Sequence, residues 1–282
     1  MHRRPGFIFA TVLAMLVIVT IAVASLQSRI NSEALLIANE LDDYQNRHEL
    51  LGIRDIAEYV AQTILPGSGG ADRLGRFAAS QRSMFRVRMP GGTALDIYAT
   101  DLQGTLHLYP DTIGNDNARR LLERALESLE PPASRFTRGL GPARVSLRAA
   151  SDEVLEAILM GAAGGSAGVR GGDAAPTIDA DAYRVLDRAR TDREMGTNTL
   201  DLREPLRATQ LTHAEVESIV AAITLEPELW GLIVHAIEPN GDATWYEMAI
   251  SREGTRYETR AWRRMGEEEA AEMGFAAARP DA

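Results

Sequence analysis

The chain has 282 residues, a net charge of −10, no cysteine, and 30 basic residues that are all arginine. The acidic balance, with no aromatics interleaved among basic clusters, speaks against nucleic acid as a partner. Without cysteine there are no disulfides, thiolate metal sites or thiol nucleophiles, and without lysine there is no Walker-type phosphate loop or Schiff-base chemistry.

Residues 1–6 form a basic leader, Met1-His2-Arg3-Arg4-Pro5-Gly6, and residues 7–26 are an apolar run from Phe7 to Leu26 without a charge. A run of that length predicts a transmembrane helix, because about 20 residues cross ~30 Å of hydrocarbon. Thr11 and Thr20 fit within it, since a hydroxyl can bond back to a carbonyl one turn earlier. Arg3 and Arg4 precede the run, so the N-terminus is expected in the cytoplasm, with a single pass and the bulk of the chain exported. Ala22-Val23-Ala24 is also a small-x-small signal-peptidase pattern, which would make Ser25 the mature N-terminus. Against that reading, the helical pattern continues through Ala24 without a turn residue.

Residues 27–65 read as an amphipathic stalk helix. Ile30, Ala34, Ile37, Leu41, Tyr44, His48 and Leu51 advance by alternating steps of four and three, which lays one narrow stripe along a helix. Ile53, Ile56, Ala57, Val60 and Ile64 resume it after Gly52, and Pro66-Gly67-Ser68-Gly69-Gly70 ends it. The whole helix would be on the order of 90 Å long. For Ile53 to Ile64 the stripe predicts core packing; for Ile30 to Leu51 it predicts core packing or a partner helix.

A short basic leader ending in Gly, then Phe, then an apolar helix running into an amphipathic stalk resembles type IV pilins and type II secretion pseudopilins. The resemblance implies that a prepilin peptidase cuts between Gly6 and Phe7 and methylates Phe7. Most such proteins carry Glu at the fifth mature position; this chain has Thr11 there. The K-type minor pseudopilin lacks that Glu, and a tip subunit has no neighbour above it to neutralise. The resemblance therefore implies an inner-membrane subunit, exposed to the periplasm, whose partners are other minor pseudopilins, the lipid bilayer and the peptidase.

Residues 71–160 read as a first α+β lobe. Met84 to Met89 and Leu95 to Tyr98 alternate as strands around Pro90-Gly91-Gly92-Thr93, and Asp101-Leu102-Gln103-Gly104 turns into a third strand, Thr105 to Tyr109. K-type pseudopilins show a similar hairpin with a D-x-x-G turn. A helix follows from Asp116 to Leu129, with Leu121, Leu122, Ala125, Leu126 and Leu129 inward. A short strand around Val145 leads to a helix capped by Ser151, with Asp152 and Glu153 at its positive end. Ser146 and Arg148 stand where that family has asparagines.

Residues 161–176, rich in Gly and Ala, read as a flexible linker that separates two lobes or forms an insertion within one. Residues 177–265 read as a second α+β lobe: a capping box, Thr212-His213-Ala214-Glu215, opens a helix, and Trp230 to Ile237, Ala243 to Ser251 and Thr255 to Trp262 are three strands. Residues 266–282 read as an acidic, solvated tail.

No motif carries catalysis. The histidines, His2, His48, His107, His213 and His235, lack ligand spacing, and no G-x-S-x-G occurs. Asp111, Asn115, Asp116 and Asn117, and Asp179 with Asp181, could cup calcium, as some K-type pseudopilins do; helix caps explain the same residues. No other cofactor is implied. The expectation is an α+β protein: a long N-terminal transmembrane and stalk helix followed by a mixed domain with antiparallel sheets and packed helices. Its function would be that of a non-enzymatic minor pseudopilin-like subunit that caps or initiates a pseudopilus. The alternative is a single-pass, membrane-anchored interaction or scaffold protein with no prepilin processing.

Overall fold

An apolar run can satisfy its backbone polar groups away from water only by pairing them internally, and the N-terminal run does so as a helix. The computed structural model describes residues 5–65, 70–129, 133–170, 178–192 and 199–275. Helix α1 spans Pro5–Tyr59. It then widens to a single π turn over Val60–Ile64, where the Leu65 amide donates to the Val60 carbonyl at 3.1 Å. From Val12 onward it is long and apolar enough to cross a membrane, with a mean hydropathy of 1.9 over its best window. Thr20 Oγ1 donates to the Leu16 carbonyl at 2.8 Å, so the hydroxyl inside the apolar stretch is satisfied one turn back.

The chain divides into two units, Met1–Asp55 and Ile56–Ala282. In the second, α2 (Gly70–Ser80) is followed by strands β1 (Phe85–Arg88), β2 (Ala94–Asp101) and β3 (Leu106–His107). Then come α3 (Asp116–Ser128), β4 (Thr137–Arg138), β5 (Val145–Ser146), α4 (Asp152–Arg170), α5 (Ala180–Thr191), α6 (Arg203–Arg207) and α7 (His213–Ala222). The chain continues through β6 (Ile223–Thr224), β7 (Leu229–Ile237), β8 (Ala243–Glu253), β9 (Arg256–Met265) and α8 (Glu267–Glu272). The fold is mixed α+β.

One antiparallel sheet has the order β1-β2-β7-β8-β9. The pairing of β2 with β7, from Ala94 opposite Ile237 to Asp101 opposite Trp230, joins strands expected in separate lobes. The lobes 71–160 and 177–265 are therefore not how the sheet is built: the chain leaves after β2 and returns at β7. Alternation identifies a strand but carries no information about its neighbour. On one sheet face Trp230 is almost fully buried, and α2 packs along β2. On the other, Ile233 and Trp245 pack with Tyr98, Met265, Ala270 and Phe275.

The excursion between β2 and β7 holds α3 to α7 around its own core, in which Leu106, Leu121, Leu155, Ile158, Leu186, Val216 and Ile219 are fully buried. Two parallel pairs, β3 with β4 and β5 with β6, edge it. Ser151 caps α4 as its sequence implies, its hydroxyl accepting from the Val154 amide. The helix, however, runs on to Arg170 through residues assigned to a linker. Gly161 explains why: a Cβ there would lie 2.4 Å from the Leu121 carbonyl oxygen, so the small residues let α4 cross α3 backbone to backbone. Residues 171–176 of that expected linker lie outside the described residues.

The acidic tail is also corrected. Glu267–Glu272 is a helix, and the Ala270 and Phe275 side chains are buried. Arg263 holds it down by bonding Glu269 as well as Glu247, each at 2.5 Å. Residues 276–282 lie outside the described residues.

Candidate functional site

Gly6 and Phe7 lie in the first turns of α1, with Thr11 one turn further on; their side chains, and residues 1–4, lie outside the described residues. Beyond the apolar run, the stripe predicted along the stalk stands open to solvent. Ile30, Ile37, Leu41, Tyr44 and Leu51 are all exposed, and Leu35 and Leu36 widen the apolar surface. Tyr44 and His48 meet edge to face at 4.2 Å, one turn apart on that stripe. From Ile53 the pattern inverts: Ile53, Ala57, Val60, Ala61 and Leu65 are buried, and the π turn packs on β9. A stripe of this spacing left uncovered over six turns is suited to receiving another helix.

In the second unit the most elaborate chemistry lies at the end of β2, in the D-x-x-G turn. Leu102–Gly104 forms one 3₁₀ turn, with the Asp101 carboxylate accepting from the Gln103 amide at 2.8 Å. The turn steers the chain off the sheet, so Leu106–His107 pairs in parallel with β4 and is not the third strand of a hairpin. Gly104 is needed here because a Cβ would lie 2.3 Å from the Ala149 carbonyl oxygen.

Gln103, buried, ties distant segments together. Its amide nitrogen donates to the Arg144 carbonyl at 2.9 Å, and its oxygen accepts from the Glu228 and Leu229 amides at 2.7 and 3.2 Å. Ser146 donates to the second Asp101 oxygen at 2.5 Å. Arg138 donates to the carbonyls of Gln103, Pro142 and Arg144. Burial pushes the Asp101 carboxyl up to about 6, against the opposing pull of the Ser146 and Gln103 hydrogen bonds and of Arg138. Burial likewise brings Arg138 down to about 10, with Asp101 opposing. This buried network fixes the junction between sheet and excursion.

Each of its groups is taken up in holding the fold: the Ser146 side chain is fully buried and its hydroxyl donates to Asp101. His107 Nδ1 accepts from the Tyr109 amide at 3.0 Å, and burial lowers its pKa, so the ring sits neutral beneath that turn. His235, also lowered by burial, stacks on Trp245 at 3.9 Å. His213 opens α7, behind the Thr212–Glu215 capping box.

Both oxygen clusters considered for calcium act as helix caps. Asn115 accepts from the Asn117 and Ala118 amides, and Asp179 from those of Asp181 and Ala182. Among the described residues no group of three or more His, Asp or Glu is placed to hold a metal ion.

Sequence reasoning missed α2, and it missed Arg138 and Gln103 as organisers. Nothing local marks an arginine whose partners are main-chain carbonyls, or a glutamine whose partners are 41 and 126 residues away. Only Asp101 and Gly104 had a signal, the turn motif itself.

No family model matches the chain, and no curated protein matches it. A chain of the GspK–GspI–GspJ complex from the type 2 secretion system of enterotoxigenic Escherichia coli is similar to it in structure. The identity is 8%, the match covers 80% of this chain and 99% of that one, and the TM-score is 0.44.

Proposed function

We propose that this chain is a structural, membrane-anchored subunit of a pseudopilus-like assembly, of the K-type minor pseudopilin kind. In this reading prepilin peptidase cuts it between Gly6 and Phe7. The observation that carries the reading is the continuity of α1. An ordinary anchor ends near the membrane edge, whereas this helix runs to Tyr59 with its apolar stripe exposed as far as Leu51. Such a surface has a use when helices are packed side by side. The apolar segment holds the subunit in the bilayer until assembly and then packs against other apolar helices. Thr11, in place of an ionisable Glu, suits a subunit with no neighbour above it.

Co-expression with prepilin peptidase, followed by intact-mass measurement, tests this. The expected product begins at methylated Phe7; a product that retains Met1 to Gly6 overturns the reading. Thr11 also favours a second reading, a single-pass interaction protein that is never processed. The same measurement separates the two, and Ser25 as the first residue would mark a cleaved secretory signal.

A further inference from the structure

The exposed stripe from Ile30 to Leu51 has two edges, and they differ. Glu33, Glu40 and Arg47 each stand one position ahead of a stripe residue, Ala34, Leu41 and His48, so they line one edge of it. Arg54 continues that line. The other edge holds Asn31, Ala38 and Gln45, one position behind Ile30, Ile37 and Tyr44. All of these side chains are exposed. One edge is therefore neutral, while the other is acidic near the membrane run and turns basic towards Leu51.

These charges are open to a partner. Among the described residues Glu40, Arg47 and Arg54 make no hydrogen bond or ion pair. Glu33 bonds Arg29 at 3.1 Å with both side chains largely exposed, and such a pair contributes little and exchanges readily. A solvated glutamate on a helix surface is ordinary. What sets these residues apart is their place, because the charges that flank an apolar seam decide which helix can join it and in which direction.

Direction follows from the anchor. Helices held in one membrane by their N-terminal ends run parallel, and the charged edge then faces the neighbour's other edge about five residues further on. A second copy of this chain would set Ala38, Gln45 and Gly52 against Glu33, Glu40 and Arg47, leaving each charge unanswered. Two copies would bring Glu40 to Arg47 only by running antiparallel, which a shared membrane forbids. The stripe thus disfavours its own kind.

We propose that the occupant of the stalk stripe is a parallel helix of a different chain, whose facing edge is basic beside Glu33 and Glu40 and acidic beside Arg47 and Arg54. This rests on the side-by-side packing proposed above and adds to it the chemistry that selects the partner.

The full-length chain, carrying the photo-crosslinker p-benzoylphenylalanine at position 44, would be irradiated in its own host beside a second, differently tagged copy, and the cross-linked peptide sequenced. A control carries the probe at Asn39, exposed on the far side of the helix. The expected adduct is with a different chain, through a helix bearing that order of charges. Glu40→Arg with Arg47→Glu, which keeps the net charge, should cut its yield by about fivefold or more, and reversing the facing charges of the partner should restore it. Should the double variant fail to reach the membrane, the sequence of the helix captured by the unmutated chain still decides the matter. An adduct chiefly with the tagged second copy, a captured helix without that charge order, or a yield indifferent to the reversal would overturn this inference and leave the packing standing. Labelling at position 44 no greater than at 39 would overturn both.

Discussion

The stalk and the second unit use the same apolar residues to opposite ends. In the stalk, Ile37 is 65% exposed and Leu41 54%, although their spacing is that of a buried seam. In the second unit Leu121, Ile158 and Ile219 are fully buried and the unusual investment is polar: Gln103 and Ser146 buried, with Asp101 and Arg138 half-buried beside them. Burial is thus a statement about whether the partner is present in the same chain. The second unit covers its apolar residues with its own chain, whereas among the described residues nothing covers the stalk's stripe.

That contrast can be broken in order of expected effect. Trp230→Ala should cost the second unit about 3–5 kcal/mol, because it empties a buried ring site and removes the indole bond to the Pro227 carbonyl; thermal unfolding by circular dichroism reads the loss. Asp101→Asn should alter the pH profile. Asp101 holds its proton to about pH 6 in the fold, against an ordinary value of 3.8 when unfolded. The fold therefore loses stability as pH rises between those values and stays level above them. The variant lacks that loss, so the stability of the wild type relative to it should fall by on the order of 2–3 kcal/mol from about pH 4 to about pH 7. Parallel denaturation profiles would show that the carboxyl is not buried as described.

Gly161→Ala comes next, at about 1–3 kcal/mol, since its methyl would press on the Leu121 carbonyl where α4 crosses α3. Smallest is Ile37→Asn. Its exposure predicts a change of less than about 0.5 kcal/mol in unfolding of the second unit, yet loss of recovery in any helix-packed assembly. A large stability loss from Ile37→Asn would mean that the stripe already has its partner within the chain.

What was legible in the sequence follows from range. Helix α1, the Ser151 and Thr212 caps and the strands β7 to β9 are encoded by residues within a few positions of each other. Such signals need no knowledge of the fold. The β2–β7 pairing, the crossing at Gly161 and the reach of Gln103 to Leu229 depend on residues brought together only after collapse. Gly161 to Arg170 misled because glycine and alanine serve equally for freedom and for close approach, and only the neighbour, Leu121, distinguishes them. The acidic tail misled in the same way: three glutamates in a row suggest solvent, and Arg263 is what makes them a helix worth docking. Of the candidate site, the stalk stripe was readable, while the network around Gln103 and Arg138 was not, because both act through backbone groups.

Asp101 and Trp230 are register neighbours, so the chain between them leaves and rejoins the sheet at a single doorway, latched by Gln103. Remove that detour and join the two ends by a tight turn, and β1-β2-β7-β8-β9 becomes a plain up-and-down meander. The helical part is thus a cassette mounted on one hairpin. Changing its size or content leaves every strand of the sheet with the partners it has now.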